Sequence, residues 1–454
     1  MNLNKRLGKI AYVSLLAILL LVGCATKEPK NHSITLPKQD LKPFITKDFT
    51  LLQTYSKKLK RDYLEHFFSP WNKPTTLSKN DVDFGLRLAY KNLGFGENLL
   101  PNSKEWIDSL KQEANLDTFP SLNKPAIITR TTNLRVLPTN KPKFHNPKLA
   151  GEGFPFDYWQ NSSIYSGTPI AILHYSKNKS WAFVQSGFVS GWVNVLDIAI
   201  LNNQQIKTLQ SYKDFLVFTK DYTPLYTKQG EFLDFGRIGM LLPLIGSTKD
   251  FYEAQFITRT KRGYASFNKI LLKTKVVSKF PTPFTKDSLS NLANPLLGEK
   301  YGWGGSFFNR DCSMLLRDLF GNFGFYLLRN SQSQIRQKDF KGDLNYFELS
   351  TLNKKEKTDF IIKNAIPFAT FLGMKGHIML YLGHKEGKIF VLHDIWGLKT
   401  LQNETEEGRY ILGGIHITPL DIGKDSPNIS QQNLLIQRVY GMKILFNKED
   451  LKAF

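Results

Sequence analysis

At 454 residues the chain is too long for a single ordinary domain, and its composition supports several. The formal net charge is +22, and taking away an N-terminal segment that carries Lys5, Arg6 and Lys9 but no acidic residue leaves +19. Such a surface suits an anionic polymer or an anionic lipid face. Nucleic acid is the weaker partner, because helix-turn-helix spacing, zinc-finger pattern and arginine-rich block are all missing from the sequence. Only two cysteines occur, Cys24 and Cys312, which rules out a disulfide framework if the first is consumed otherwise.

In chain order, the basic start is followed by an apolar run, Ile10 to Val22, too short for a comfortable membrane span. It reads as a signal peptide over 1–23, with an uncleaved signal anchor as the alternative. Leu21-Val22-Gly23-Cys24 resembles the bacterial lipobox, which makes Cys24 the lipidated N-terminus of the mature protein. Ala25 rather than aspartate follows it, and by resemblance to sorted lipoproteins this points to the outer membrane, facing the periplasm. Residues 24–45 are polar and dotted with proline, and are expected to be a tether. Residues 46–125 carry apolar residues at three- and four-residue spacing over Asp48 to Phe67 and Lys79 to Tyr90, so a helical region is expected, broken at Phe68-Ser69-Pro70-Trp71.

From about 126 to 205 the pattern changes to short strands separated by polar turns, as in a small barrel. Thr132 to Val136 and Ser190 to Val193 resemble the opening and closing strands of a bacterial SH3 domain. A second strand-rich block over 206–278 looks like another such barrel, and Ser278 to Leu289, rich in Ser, Thr and Pro, is expected to link it to the last domain, 279–454.

The last domain holds Gly302-Trp303-Gly304-Gly305, then Asp311-Cys312-Ser313, then Met314, Leu315, Leu316, Leu319, Phe320 and Phe323 at helical spacing. Cys312 therefore opens a helix that Asp311 or Ser313 can cap. The helix dipole is expected to favour a thiolate and lower the thiol pKa. His377 and His393 fall on two strands joined by Glu386-Gly387, while His384 lies at the turn and reads as solvated. An unbroken ladder from a two-residue loop would set His393 opposite Leu380 and point the two histidines to opposite faces. An odd loop or a bulge is therefore expected, so that His377 can act as base to Cys312 and His393 can fix its tautomer. The same three side chains could instead ligate zinc, although no short paired ligand motif is present.

Tyr301-Gly302-Trp303-Gly304-Gly305, Arg310-Asp311-Cys312-Ser313, Leu328-Arg329-Asn330-Ser331 with Gln334, Gly376-His377 and His393 together resemble the NlpC/P60 family of papain-like cell-wall cysteine peptidases. The resemblance implies a multidomain α+β protein: a papain-like catalytic domain preceded by two small SH3-like β-barrels and a helical N-terminal region whose Ser-Pro-Trp packs against them. It implies Cys312 as nucleophile, His377 as base, His393 as third polar residue and Tyr301 beside the oxyanion. Asp311 and Ser313 would receive a free L-alanine amine, and Arg329 would lie near the substrate's acidic part. Tyr158, with Asp157 and Gln160, would supply a wall from the first barrel. Met314 and Leu328 depart from the frequent glycine and proline. The implied activity is cleavage of the γ-D-glutamyl-diamino acid (diaminopimelate) bond of peptidoglycan or of free murein peptides, with no metal or organic cofactor. The alternatives are a non-catalytic, lipid-anchored wall-binding protein and a thiol acyltransferase on the same scaffold.

Overall fold

The structure is a computed structural model that describes residues 34–401 and 406–453. The expected signal segment and the lipobox cysteine, Cys24, lie outside these residues. Among the described residues no helix is long and apolar enough to cross a membrane.

From Leu36 onward the chain packs as one unit, so the expected tether stops short of residue 45. The Gln39 side chain accepts from the Ile417 amide (2.9 Å) and donates to the Ile417 carbonyl (3.0 Å), imitating a neighbouring strand, and Leu41 is fully buried. Next, β1 (Phe49–Leu51) pairs antiparallel with Leu451–Ala453 at the other end of the chain. The helical reading from Asp48 therefore starts too early, since the helix proper is α1 (Gln53–Phe67). Trp71 of the Ser-Pro-Trp break donates its indole N–H between the carbonyls of Ala126 (3.0 Å) and Ile170 (3.1 Å), tying the helical region to the first barrel. Further on come α2 (Phe84–Lys91) and α3 (Lys104–Ala114).

The first SH3-like module comprises β2 (Lys124–Ile128), β3 (Thr132–Arg135), β4 (Gln160–Ile164), β5 (Pro169–Tyr175), β6 (Trp181–Ser186), β7 (Ser190–Asn194) and β8 (Ile198–Ile200), in the order β4-β3-β7-β6-β5-β2-β8. One face holds Ile128, Leu134, Ile172, Val184 and Val193. The opposite face, with Leu173, Phe183 and Trp192, packs on Leu86, Ile107 and Leu110 of α2 and α3. Covered on both sides, β5 is apolar almost throughout rather than alternating.

The second module begins at α4 (Asn203–Ser211), which Asn202 and Gln205 close with a reciprocal capping box. It continues through β9 (Phe215–Phe218), β10 (Thr223–Tyr226), β11 (Phe232–Gly236), β12 (Leu241–Ser247), β13 (Phe251–Arg259), β14 (Ala265–Lys273) and β15 (Val277–Lys279). Five of these form the sheet β14-β13-β12-β9-β15, and β10 with β11 forms a separate two-stranded ribbon. The segment expected as a linker is structured instead: β15 closes this sheet against β9, and Thr285 N-caps α5 (Lys286–Ala293).

The last domain continues with α6 (Cys312–Gly321), α7 (Ser331–Arg336), β16 (Tyr346–Glu348), α8 (Lys354–Asn364), β17 (Thr370–Met374), β18 (His377–Lys385), β19 (Lys388–Leu401), β20 (Glu407–Pro419), β21 (Val439–Ile444) and the C-terminal strand β22 (Leu451–Ala453). Its sheet runs β16-β21-β17-β18-β19-β20. The apolar stripe of α6 (Leu315, Leu316, Leu319, Phe320) buries itself against Phe371, Ile378, Leu380, Leu392 and Ile417 of that sheet, and Phe49, Leu51, Tyr55 and Leu59 complete the cluster. At about 1.5–3 kcal/mol for each large apolar side chain removed from water, this stripe fixes the position of the helix that presents Cys312. The expected multidomain α+β architecture is the one observed.

Candidate active site

The start of α6 is set by Asp311. Its Oδ1 accepts from the Met314 amide (2.9 Å) and the Ser313 hydroxyl (3.0 Å), and its Oδ2 accepts from the Gly304 amide (3.1 Å). Arg329 adds a bidentate pair, Nη1 to Oδ1 at 3.1 Å and Nη2 to Oδ2 at 2.8 Å, and reaches Ser313 Oγ at 2.9 Å and Ser162 Oγ, on β4, at 2.7 Å. Burial alone would raise the Asp311 pKa, but Arg329 and these donors hold it below the usual carboxylate value. Five donors share one carboxylate, so an incoming amine has to compete with Arg329 for it. Arg329 itself is directed at Asp311 rather than at open space.

The glycines of the turn before α6 have a steric reason. Gly304 and Gly305 lie at φ 59° and 80°, and a Cβ there would sit 2.4 Å from the Gln160 carbonyl oxygen and 2.5 Å from Ser163 Oγ. The first SH3-like module therefore docks by its β4 backbone against this turn. The two departures from the family pattern are also accounted for. Met314 is buried in the second module's core cluster and its sulfur accepts from Ser163 Oγ (3.5 Å). The Leu328 amide, which proline would lack, donates to Gln337 Oε1 (2.9 Å). Gln334 donates to the carbonyls of Ser313 and Leu328, both at 2.8 Å, and so joins α7 to α6.

On the opposing sheet, β18 and β19 are joined by the two-residue turn Glu386-Gly387, both residues at positive φ (52° and 72°). A bulge between Tyr381 and Gly383 then shifts the ladder so that Leu380 faces Leu392 instead of His393. The shift places both histidines on one face, and His377 Nε2 lies 2.9 Å from His393 Nδ1. His393 Nε2 in turn lies 3.0 Å from the Thr418 hydroxyl, which is buried on β20. The two contacts are met by either set of tautomers; in the one that would make His377 a base, Nε2–H of His377 donates to His393 Nδ1, Nε2–H of His393 donates to Thr418, and His377 Nδ1 is left bare to take a proton. Thr418 was not singled out in the sequence, because a lone threonine among β-branched strand residues carries no signal there. The direct nitrogen-to-nitrogen contact also leaves no space for a metal ion between the two rings. Among the described residues no group of three or more His, Cys, Asp or Glu is placed to hold one.

Cys312 is buried, and its thiol faces the Ile378 amide, the residue after His377. The expected lowering of its pKa does not occur. Burial and the Asp311 charge push the thiol up, and together outweigh the Ile378 N–H and the Arg329 charge. Burial likewise lowers His377 to about 4, with Arg438 adding to the effect, so this imidazole is neutral at ordinary pH. The resting pair is thus thiol and neutral imidazole. Tyr301 is held well above its ordinary pKa by burial and by Cys312, so its phenol stays a donor. Its ring meets Trp396 at 6.1 Å.

A cleft of about 560 Å³ opens over Cys312, lined by Tyr301, Ser313 and Arg329, by Tyr158 and Gln160 of the first module, and by Phe84 and Leu88 of α2. Tyr158 is fixed by stacking on His145 (ring centroids 3.5 Å apart). Asp157 instead accepts from the buried Arg135 (2.7 Å) and does not line the cleft. Beneath the site, the fully buried Arg310 donates to Asp318 (2.8 Å) and to Asp221 of the second module (2.9 Å). Arg237 donates to the same Asp221 (3.0 Å), and the Tyr165 hydroxyl to Asp318 (2.5 Å). Burial would raise the Asp221 pKa, but the two guanidinium groups keep it strongly depressed. All three β-rich parts of the chain thus meet directly below the cysteine.

A buried cysteine opening a helix, set against a relayed histidine on an antiparallel sheet, defines a papain-like cysteine hydrolase. Family profiles place it further: the NlpC/P60 family matches residues 298–410, the NLPC_P60 N-terminal stabilising domain 13–119, an SH3 domain of SH3b1 type 142–194, and an SH3 domain of SH3b2 type 203–249. The C-terminal domain is thus an NlpC/P60 domain, preceded by the stabilising domain and two SH3 domains, and this supports a cell-wall peptidase of cysteine type. Among solved structures, it is similar to an NlpC/P60 endopeptidase from Photobacterium damselae subsp. piscicida, with a TM-score of 0.79, 24% identity, and coverage of 91% of this chain and 99% of that one. An NlpC/P60 family protein from Bacillus cereus is more distant, with a TM-score of 0.47, 16% identity, and coverage of 71% of this chain and 100% of that one. No curated protein matches the chain.

Proposed function

We propose that the protein is a cysteine endopeptidase that cleaves murein stem peptides between γ-D-glutamate and the diamino acid, held in the periplasm by a lipid on Cys24, with the outer membrane as its anchor. The observation that carries the reading is the relay from Thr418 through His393 to His377, on the strand end whose next amide, that of Ile378, faces the Cys312 thiol. A remnant used only for wall binding would have no need of a hydrogen-bonded histidine pair buried beside the cysteine.

In this reading the thiol proton passes to His377 Nδ1 as Sγ attacks the substrate carbonyl carbon. Backbone N–H groups at the start of α6 and the Tyr301 hydroxyl stabilise the oxyanion. Collapse of the tetrahedral species expels the diamino acid amine, which takes the proton from His377. Water, deprotonated by the same imidazole, then hydrolyses the thioester. Asp311, Ser313 and Arg329 hold the helix start and the adjoining cleft floor, and Tyr158 forms a wall.

The test is mass spectrometry of digests of L-Ala-γ-D-Glu-diaminopimelate tripeptide and of intact sacculi, with the full chain in detergent beside Cys312→Ala. Release of L-Ala-γ-D-Glu from the tripeptide, or of diaminopimelate-containing peptides from the sacculus, by the unaltered chain alone is expected. Binding to sacculi without cleavage of either substrate would overturn the reading in favour of an anchoring protein, and product formation dependent on an added amine acceptor would favour an acyltransferase.

A further inference from the structure

We infer that Asp394 is a further positioning residue of this site: as a neutral carboxylic acid it donates its O–H to the Tyr301 hydroxyl oxygen and so keeps the phenol proton turned toward the oxyanion. The inference rests on the endopeptidase reading, in which Tyr301 serves the oxyanion.

Strand register brings Asp394 to the level of the cysteine. On β19 it pairs directly with Ile415 of β20, and Ile415 and Leu392 both belong to the apolar face that α6 covers. Side chains alternate along a strand, so Asp394 shares that face with them. Leu392 stands opposite Leu380 of β18. Two residues further along both strands, Asp394 comes level with Ile378, whose amide faces the Cys312 thiol. On its other side β20 is flanked by the segment 299–301: the Ile415 amide donates to the Glu299 carbonyl (3.0 Å), and the Tyr301 amide to the Gly413 carbonyl (2.9 Å). Gly413 has no side chain to stand between the Tyr301 phenol and β19.

The carboxyl is left over from the pairing around it. Asp394 is fully buried, and among the described residues neither of its oxygens has a hydrogen-bond partner. The other buried acids nearby are matched with guanidinium groups, Asp311 with Arg329, Asp318 with Arg310, and Asp221 with Arg310 and Arg237. A buried carboxylate with no donor is costly, so the group keeps its proton. Its charged and titratable surroundings are Asp311 and Cys312 at the start of α6, Arg310 just before it, Glu299 and Tyr301 beside β20, and His393 next to it on β19. Burial first, then Asp311 and Glu299, push the carboxyl well above its ordinary value, and only Arg310 opposes them.

The protonation state decides which way the phenol turns. A neutral acid can donate to the phenol oxygen and leave the phenol O–H free for the oxyanion. A carboxylate can only accept, and would draw that O–H away from the cleft. Its charge would also add to the load on the Cys312 thiol, on which Asp394 acts in the same direction as Asp311.

The experiment compares the full chain with Asp394→Asn and Asp394→Val, each with and without Tyr301→Phe, after circular dichroism has shown them folded. It reads cleavage of L-Ala-γ-D-Glu-diaminopimelate tripeptide across pH and, separately, alkylation of Cys312 by iodoacetamide, located by peptide mass spectrometry. An asparagine amide can replace the acid's O–H but cannot ionise. Asp394→Asn should therefore hold kcat within about threefold at neutral pH and lose the alkaline limb that ionisation of Asp394 gives the unaltered chain. Asp394→Val should lower kcat about tenfold with KM unchanged, and should have less than about a twofold effect in the Tyr301→Phe background. Alkylation of Asp394→Asn should match the unaltered chain at about pH 7 and run about threefold faster at about pH 9, where the opposing charge is missing. Packing alone would move neither the pH profile nor the dependence on Tyr301. An Asn variant as inactive as the Val variant, an alkaline limb retained in Asp394→Asn, or an equal loss from Asp394→Val with and without the phenol would overturn the inference. If Asp394→Val does not fold, the pH profile of Asp394→Asn decides alone. Failure of every protein to cut the tripeptide would instead strike the endopeptidase reading, and the alkylation comparison would still decide whether a neutral Asp394 serves the cysteine.

Discussion

In the proposed mechanism His377 and Cys312 set the pH behaviour of the site. Because burial lowers the imidazole to about 4 and raises the thiol, the base is neutral above about pH 4, and the proton moves only when substrate is attacked. Activity should therefore rise as pH increases through about 4 and stay level across neutrality. A plot of kcat/KM against pH measures this directly, and an acid limb near 6.5 would mean that the imidazole is exposed to solvent. Thr418 offers a second check at the same scale. Thr418→Val leaves the far nitrogen of His393 without a partner, and a fall in kcat of about tenfold with KM unchanged is expected, on the scale of a general-base contribution. Thr418→Ser should restore most of it, which a purely packing role for the threonine would not predict. Cys312, His377 and His393 could be singled out in the sequence because each stands in a motif, and the structure brings the two histidines within 2.9 Å of each other. The direction of the thiol pKa was not, because the helix dipole is read from local sequence whereas burial comes from the packing of distant segments.

Among the elements, the β18–β19 hairpin shows how far pattern reading reaches. The turn residues and the need for a shift in register were readable, since side-chain alternation admits no other way to bring His377 and His393 together. The place of the bulge went unread although Gly383, the one glycine inside that strand, stands at it. The expected linker at Ser278–Leu289 failed for a related reason: Ser, Thr and Pro also serve as helix caps, and Thr285 caps α5. The buried cluster around Arg310 was invisible, as its members come from three parts of the chain. It makes the second module part of the catalytic support. Asp221→Ala would leave Arg310 and Arg237 short of a buried counter-charge and should cost about 3–5 kcal/mol of stability, read by denaturant unfolding. A change under about 1 kcal/mol would show that water or Glu299 replaces the carboxylate.

For the molecule as a whole, the order of modules and the class of each were readable from strand and helix patterning together with the resemblance. Their mutual docking was not: Trp71 on the first barrel, Gly304 against Gln160, and the pairing of β1 with β22 all join residues far apart in sequence. The result is a cleft whose walls come from the helical region, the first barrel and the C-terminal domain. The central claim is that Cys312 forms an acyl-enzyme with the γ-D-glutamyl carbonyl. Intact-mass spectrometry of the full chain, acid-quenched during turnover of a murein peptide, tests it most directly. The account predicts an adduct of the mass of the L-Ala-γ-D-Glu acyl group, mapped to Cys312 and absent from Cys312→Ala. Product release with no such adduct, or equal turnover by Cys312→Ala, would contradict it.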